Sequence, residues 1–338
     1  MIENLEIQNF RRHKKFTANF KGKNTIITGA NGSGKTSIIE AIYIALRGKS
    51  WRSGLQEILR EESSDTSDWW RIDLGFSCGE MRKIKLNGNQ KIFEVNNQKF
   101  KRLPVKYKKP VILFEPNDLQ LLYGSPSRRR DFFDRFIAQI EPSHQASLNK
   151  FLRILKQRNN LLKKGASIDE LFVWDMQFAD LSEKIITSRE NWINQISKEI
   201  TKEYREISSK SDSVSIKYSA PQKTKQQILN QLNIDFNSGW SMTKIGPQTH
   251  DVKFKINNRN AKVTASRGES RTIIFAGLAV MTKLLSQEFG EKIYLIFDDI
   301  DSELDFERKN GLYKLPVFQE NYLFATTIES DDSAIKLK

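Results

Sequence analysis

The chain has 338 residues and a hydrophobic content of 38%, enough for one large domain or two moderate ones with a real core. One cysteine excludes a disulfide framework and a multi-cysteine zinc site, and the lack of an eighteen-residue apolar run or a secretory signal predicts a cytoplasmic protein without membrane spans. Because 55 Lys and Arg outnumber 41 Asp and Glu, the net charge is +14, which favours a polyanionic partner such as nucleic acid; a basic surface kept for solubility is the alternative.

The N-terminal part alternates between predicted strands and one buried helix. Alternating apolar residues predict two half-buried strands before residue 21, and residues 25–28 form a short buried one. The almost wholly apolar segment 37–46 predicts a buried helix. Farther along, Asn87-Gly88 and Asn96-Asn97 are typical hairpin turns, and residues 111–114 predict another buried strand.

The middle of the chain, residues 127–208, is helical in character. Two sets of apolar residues recur at helical spacing. The first set is Leu148, Phe151, Leu152, Leu155 and Leu162, and the second is Phe178, Leu181, Ile185, Ile193, Ile196 and Ile200. Strands resume at 214–216 and 252–256, and a buried helix and a last strand follow Thr264. The pattern predicts an α/β core, residues 1–122 and 213–338, with a helical lobe, residues 123–212, inserted in it.

A phosphate-binding loop is the clearest motif. Residues 29–36 read G-A-N-G-S-G-K-T, a complete match to G-x-x-x-x-G-K-[ST] between a predicted strand and a predicted helix, so a chance match is disfavoured. The glycines let backbone N–H groups face phosphates, Lys35 reaches the β- and γ-phosphates, and Thr36 offers a hydroxyl to Mg²⁺. We predict that ATP with Mg²⁺ binds here. The loop residues are Gly29, Ala30, Asn31, Gly32, Ser33, Gly34, Lys35 and Thr36.

Two adjacent carboxylates end the apolar strand that starts at Tyr294. Asp298 is placed to hold Mg²⁺ together with Thr36, and Asp299 to act as a general base or to orient the attacking water. Lys35 and Asp299 are therefore the predicted catalytic residues. The alternative is that the two acids only cap the next helix, and the upstream loop disfavours it.

A third motif, S-R-G-E-S-R at residues 266–271, precedes an apolar helix, and S-E-L-D follows at residues 302–305. Alone, the first stretch is an ordinary helix start capped by Ser266. After the P-loop, however, this order resembles that of ABC-type ATPases, with a variant signature motif and a D-loop. The resemblance implies that Ser266 and Gly268 contact the γ-phosphate held by the other subunit, so that ATP joins a symmetric homodimer.

Four stretches narrow the resemblance to the RecF family. They are L-E-I-Q-N-F-R from Leu5, F-E-P-N-D-L-Q-L-L-Y-G-S-P-S-R-R-R-D-F-F-D-R-F-I-A-Q-I-E-P from Phe114 to Pro142, G-P-Q-T-H-D from Gly246, and D-D followed by S-E-L-D from Asp298. The resemblance implies an ABC-type ATPase head with a mixed sheet, an antiparallel β subdomain and an inserted α-helical lobe. It also implies that Arg11 contacts nucleotide phosphates, with Arg12 and His13 as weaker candidates.

The family resemblance further implies a weak DNA-stimulated ATPase of DNA replication, recombination, repair and the SOS response, associated with the bacterial nucleoid. Its expected partners are single-stranded DNA and single-strand/double-strand junctions, an ATP-dependent homodimer, and RecR- and RecO-like mediators. The signature departs from the family at Arg267 and Glu269, and the G-P-Q-T-H-D stretch departs at His250. The added positive charge of Arg267 near the phosphates could tune the affinity of the dimer.

Two other functions stay open. A Rad50-like ATPase that drives a nuclease is disfavoured, because the roughly 260 residues between Lys35 and Asp298 leave too little chain for a long coiled coil. A binding module with an idle ATPase site is disfavoured by the intact motifs. Candidate DNA contacts, each of which could equally be a solvated or ion-paired surface, are Lys49, Arg52, Lys106, Lys108, Lys109, Arg128, Arg129, Arg130, Arg158, Lys163 and Lys164.

Overall fold

The computed structural model describes residues 1–59, 69–299, 315–328 and 335–337. The chain divides into two compact units. The first unit comprises Met1–Asp118 and Thr282–Lys338, and the second unit comprises Leu119–Met281.

The predicted helical lobe ended at residue 212, whereas the second unit continues to Met281. The reason is a set of hydrogen bonds between the long helix and the strand that follows it. Val214 donates its N–H to Thr201 Oγ1 (3.0 Å), and Ile216 donates to Ser197 Oγ (2.9 Å). The strand that begins at Val214 therefore packs against the long helix.

One sheet of the first unit is antiparallel and has six strands in the order β2-β1-β4-β5-β6-β7. Its strands are β1 (Ile2–Phe10), β2 (His13–Asn19), β4 (Trp69–Phe76), β5 (Met81–Asn87), β6 (Gln90–Val95) and β7 (Gln98–Phe100). Both predicted hairpin turns are confirmed, and Gly88, Asn96 and Asn97 adopt the positive φ angles that such tight turns require.

The other sheet of the first unit is parallel, with the strand order β14-β3-β13-β12-β8. Its strands are β3 (Asn24–Thr28), β8 (Val111–Phe114), β12 (Tyr294–Phe297), β13 (Tyr322–Thr327) and β14 (Ile335–Lys336). Helix α1 (Lys35–Arg47) follows β3 and is buried along almost its whole length, as its apolar sequence predicts. Because the strands are parallel, the residues after β3, β12 and β13 meet at one sheet edge, where α/β proteins bind ligands.

The second unit holds most of the helices and a three-stranded sheet ordered β11-β10-β9. Its elements are α2 (Pro126–Ile140), α3 (Pro142–Lys163), α4 (Ile168–Ser208), β9 (Val214–Ser219), α5 (Lys225–Asn237), β10 (Asp251–Ile256), β11 (Arg259–Asn260) and α6 (Ala261–Thr264). Helix α7 (Arg267–Phe289) begins in this unit and ends in the first, which also contains the short helix α8 (Pro316–Gln319). Single 3₁₀ turns lie at Leu55–Ile58, Val105–Tyr107 and Pro116–Leu121.

The two predicted helical faces have different outcomes. All six apolar residues of the second face are buried in α4. In the first face Phe151 is buried as predicted, but Leu152 is 57% exposed, because the buried side of α3 continues through Ile154 and Arg158. An arginine at a buried helical position cannot be recognised from hydrophobic spacing.

Among the described helices, α7 is long and apolar enough to cross a membrane by length and composition. However, 72% of its most apolar stretch is buried within the protein, as in the core helix of a soluble domain. It is weak evidence for a membrane span.

Candidate nucleotide-binding site

The P-loop is shaped by glycines at positions that other residues fit poorly. Gly32 and Gly34 have φ angles of 79° and 97°, in the left-handed region, and Gly34 is the N-cap of α1. A Cβ atom at Gly32 would lie 2.9 Å from Arg12 Nη1, and one at Gly34 would clash with the His13 ring. The loop therefore needs glycine both for its conformation and for the close approach of the β1–β2 turn.

The side chain of Lys35 folds back onto the start of the P-loop. Its Nζ donates hydrogen bonds to the carbonyl oxygens of Gly29 (2.6 Å) and Ala30 (3.0 Å), and the side chain is largely buried. The buried Ser33 Oγ has no hydrogen-bond partner among the described residues. An ammonium group held by two carbonyls, beside an unsatisfied hydroxyl, can turn to an incoming phosphate without first breaking an ion pair.

Thr36 and Asp298 are brought together although 262 residues separate them. Thr36 Oγ1 donates to the Asp298 carboxylate, at 2.8 and 3.0 Å from its two oxygens. Burial raises the pKa of Asp298, and hydrogen bonds from Thr326 and Thr36 act against that rise. The P-loop and the end of β12 thus form one oxygen-lined site.

Thr326, at the end of β13, is a site residue that sequence reasoning missed. Its Oγ1 donates to Asp298 (2.7 Å) and accepts the backbone N–H of Asp299 (2.8 Å), so it holds the Asp298 carboxylate and the backbone of Asp299. A threonine has no motif of its own here. Only its place at the end of the neighbouring parallel strand could have indicated it.

A cavity of about 710 Å³ opens at this edge of the first unit, within the size range of small-molecule sites. The predicted residues Asn31, Gly32, Gly34, Lys35, Thr36, Asp298 and Asp299 line it, together with Arg11, Arg12, Ser37, Arg52, Glu57, Leu59, Pro116 and Thr326. Arg52, which the sequence predicts as a DNA contact, also lines this cavity, because residues 50–53 pack on α1 through Glu40. Its contact with DNA stays a prediction.

Arg11 makes its hydrogen bonds to protein groups. It forms a bidentate ion pair with Glu40, at 3.0 and 2.7 Å, and also donates to Ser53 Oγ (2.6 Å) and the Glu57 carbonyl (3.1 Å). Glu40 is fully buried in α1. The arginine that the resemblance places on phosphates is therefore engaged by a buried carboxylate.

Ser266 and Gly268 belong to the second unit and stand at the start of α7. Ser266 Oγ accepts the N–H of Glu269 (3.2 Å), whose carboxylate accepts the N–H of Ser266 (2.9 Å), so the pair forms a capping box. Hydrogen bonds from Lys210 and from Ser266 lower the pKa of Glu269 to about 2. Ser266 is exposed, and its hydroxyl proton has no acceptor in the described parts of the chain. The predicted D-loop, residues 302–305, lies outside those parts.

Proteins named DNA replication and repair protein RecF are similar to nearly the whole chain. The Acetivibrio thermocellus protein is 30% identical, with 92% of this chain and 89% of the relative aligned. The Natranaerobius thermophilus protein is 32% identical, with 100% of this chain and 94% of the relative aligned. A Streptococcus pyogenes protein is 31% identical over 98% of this chain and 92% of its own.

The chain belongs to the RecF family.

Solved structures agree with this membership. The recombination mediator protein RecF in the RecFOR pathway has been solved with ATPrS and with ATP, at TM-scores of 0.85 and 0.82 and identities of 27% and 26%. These matches cover 99% and 98% of this chain and 94% of each RecF chain. The Smc head bound to the winged-helix domain of ScpA, at 16% identity and a TM-score of 0.57 over 99% of this chain and 90% of its own, shares the fold alone.

Residues 1–108 also match the AAA ATPase domain family, so the chain carries an ATPase domain. The predicted fold class, an α/β ABC-type ATPase head, is confirmed by the RecF and Smc head structures.

Two of the RecF-like segments meet in a buried polar network of the second unit. Asp134, from the segment that starts at Phe114, pairs bidentately with Arg189 and accepts a hydrogen bond from His144 (2.8 Å). Arg189 also donates to the Pro247 carbonyl (2.7 Å) in the G-P-Q-T-H-D segment. Residues of these two family-like segments therefore help to hold the second unit together.

Separate buried ion pairs of the second unit remove two predicted DNA contacts. Arg129 is buried and pairs with Asp251 through Nε (2.7 Å) and Nη2 (3.0 Å). Arg158 is buried and pairs with Asp175 and Thr243. Neither guanidinium can reach a DNA backbone without leaving a carboxylate unpaired, which costs several kcal/mol. The error arose because a run of arginines does not show which of them face inward.

We expect the protein to lose stability as the pH falls from about 6.5 towards 4. Burial and the charges of Arg189 and Arg130 lower the pKa of His250 from 6.5 to about 4. Between these values the unfolded chain binds a proton that the folded chain excludes, so the stability from neutral His250 is complete above pH 6.5 and declines below it. Urea titrations should show a free energy of unfolding about 1–2 kcal/mol lower at pH 5 than at pH 7.

His250→Asn is the matched variant for this measurement. An asparagine amide can keep a hydrogen bond to the Tyr218 hydroxyl, which lies 2.9 Å from His250 Nδ1, but it does not titrate. The pH dependence should shrink in the variant by the amount that His250 contributes. An unchanged slope would assign the loss to other groups.

Proposed function

We propose that this RecF-family protein is an ATP-switched DNA-binding protein of recombinational repair and of replication-gap recovery. ATP binding closes two copies into a clamp on DNA, the clamp recruits recombination mediators, and slow hydrolysis resets it. The names of the relatives, the ATP-bound solved structures and the net charge of +14 support this proposal.

The contact between Thr36 and Asp298 is the observation that carries the proposal. It unites the loop that binds phosphates with the strand-end carboxylate in one cavity beside Lys35. A P-loop alone would be only a sequence motif. A P-loop that is hydrogen-bonded to the Asp298 carboxylate has the groups that one subunit needs to bind a nucleoside triphosphate.

The same oxygens fit Mg²⁺. Asp298 is a half-buried carboxylate whose side-chain partners in the described residues are the hydroxyls of Thr36 and Thr326, and burial raises its pKa, so a divalent cation would stabilise its ionised form. Mg²⁺ at phosphate sites is usually held by one or two protein oxygens together with substrate phosphates, so Thr36 and Asp298 would be enough to hold it. When bound, Mg²⁺ would neutralise developing negative charge on the phosphates.

Lys35 and Asp299 are the proposed catalytic residues. Lys35 leaves its two carbonyl partners to contact the β- and γ-phosphates, and the rest of the loop offers backbone N–H groups. Asp299 orients the attacking water from the end of β12. As a shorter side chain than the glutamate usual in ABC proteins, it is suited to slow turnover, in keeping with a weak DNA-stimulated ATPase.

The dimer is proposed from the exposed start of α7. Ser266 keeps its hydroxyl proton available while its oxygen caps the helix, and the helix N-terminus favours an anion. Ser266 and Gly268 of one subunit would thus complete the site of the other.

DNA is bound mainly through its phosphate backbone, as single strands and at single-strand/double-strand junctions, and RecR- and RecO-like proteins are the proposed mediators. A cytoplasmic, nucleoid-associated location follows from these partners.

Paired substitutions at the end of β12 test the site. Asp298→Asn should weaken binding of Mg²⁺-nucleotide about tenfold or more, because it removes the carboxylate that faces Thr36. Asp299→Asn should leave that affinity unchanged and slow hydrolysis about a hundredfold. Titration with a fluorescent ATP analogue and a phosphate-release assay measure the two effects.

Each variant is the isosteric control for the other. If both bind nucleotide normally and hydrolyse ATP at the wild-type rate, the assignment of this site fails.

A further inference from the structure

Three arginines, Arg11, Arg12 and Arg52, line the proposed nucleotide cavity, and their partners differ. Arg52 lies 3.4 Å from the Glu40 carboxylate with its side chain 43% exposed, whereas Arg11 is bound bidentately to the same carboxylate. Arg12 is exposed and makes no ion pair among the described residues. Its one hydrogen bond there is to the Gly32 carbonyl.

Arg11 is poorly placed to change partners. Its guanidinium satisfies the fully buried Glu40 and also donates to Ser53 and the Glu57 carbonyl. Withdrawing it would leave a fully buried carboxylate with the Ser50 hydroxyl and the longer, 3.4 Å contact of the partly exposed Arg52, and breaking a buried bidentate pair in this way is unfavourable. Arg11 therefore belongs to the wall of the cavity.

The Arg12 side chain points away from that of Arg11 because of the backbone conformation of the β1–β2 turn. Arg11 has a φ of 53°, in the left-handed region, so the β1–β2 turn sends Arg11 towards α1 and Arg12 across the P-loop. The Arg12 guanidinium carbon lies 3.7 Å from the position of a Cβ on Gly32. Of its five N–H donors, one group is occupied by a neutral carbonyl.

We propose that Arg12 contacts the polyphosphate of a nucleoside triphosphate bound at the P-loop, as a second cation beside Lys35. This inference rests on the proposed function of the same site. Its planar fork can keep the Gly32 carbonyl through one nitrogen and present the other N–H groups to phosphate oxygens, which match guanidinium geometry better than an ammonium does. Arg12 thereby performs the role that the family resemblance gives to Arg11.

The test is a titration of full-length protein with a fluorescent non-hydrolysable ATP analogue and Mg²⁺, without DNA, so that any loss of affinity belongs to the nucleotide. Arg12→Ala should weaken binding about tenfold, and Arg12→Lys by a smaller factor because the charge stays and the fork is lost. The affinity of Arg12→Ala should also fall less steeply with salt. Lys14→Ala, an exposed residue of the same hairpin outside the cavity lining, is the matched control and should bind as wild type does.

Thermal melting should be unchanged for all three variants, since both side chains are exposed. If Arg12→Ala binds the analogue as tightly as Lys14→Ala while Lys35→Ala has lost it, the inference about Arg12 is wrong and the nucleotide site stands. If Lys35→Ala also keeps the wild-type affinity, the proposed function itself fails.

Discussion

Lys35→Ala should reduce ATP affinity at least about a hundredfold and abolish ATP-dependent DNA binding, because it removes the cation buried among the loop carbonyls. The alanine leaves the carbonyl oxygens of Gly29 and Ala30 without their donor, and a phosphate would then meet acceptor oxygens instead of an ammonium group. Lys35→Arg should fail as well, because a planar guanidinium does not fit a space that closes around a single Nζ.

Nucleotide titration and an ATP-dependent DNA-binding assay measure this effect, with Lys99→Ala as a control of equal charge change on an exposed strand position. Lys35→Ala should unfold at nearly the wild-type temperature, which separates lost binding from lost structure. ATP-stimulated DNA binding at the wild-type level would contradict the assignment of residues 29–36 to phosphate binding.

Ser266→Arg should leave nucleotide binding by a single subunit nearly unchanged and block ATP-induced dimerisation. A long charged side chain at the exposed start of α7 would have to be buried in the closed interface, where a charge without a partner is strongly unfavourable. Hydrolysis should fall with dimerisation, since each site is complete only in the dimer. Sedimentation with a non-hydrolysable ATP analogue measures the effect, and ADP should support dimerisation poorly even in the wild type.

The substitution also removes a helix cap, which by itself costs about 1 kcal/mol. Ser167→Arg is the matched control, because Ser167 is an exposed N-cap of α4 with its own capping box to Glu170. It should dimerise as wild type does. If Ser266→Arg dimerises as well as Ser167→Arg, then Ser266 is only a helix cap and the clamp loses its main support.

What the sequence determined by itself is local. The P-loop can be recognised because eight consecutive residues coil around a phosphate, so all the residues of the motif are neighbours in the sequence. The hairpin turns at Asn87-Gly88 and Asn96-Asn97 and the buried face of α4 could be predicted for the same reason, since positive φ angles and helical spacing depend on near neighbours. The apolar strand that precedes Asp298 and Asp299 could be predicted from its local sequence as well.

Only the tertiary structure decided which polar groups become partners. Thr326 joins the site because two parallel strands end side by side, and Arg11 is engaged by Glu40 because a turn and a helix meet. The buried pairs of Arg129 and Arg158 likewise depend on carboxylates that lie 122 and 17 residues away. The physical reason is common to all of them. Burying a polar or charged group is unfavourable unless it has a hydrogen-bond partner, and the fold, not the local sequence, decides which groups come within hydrogen-bond distance.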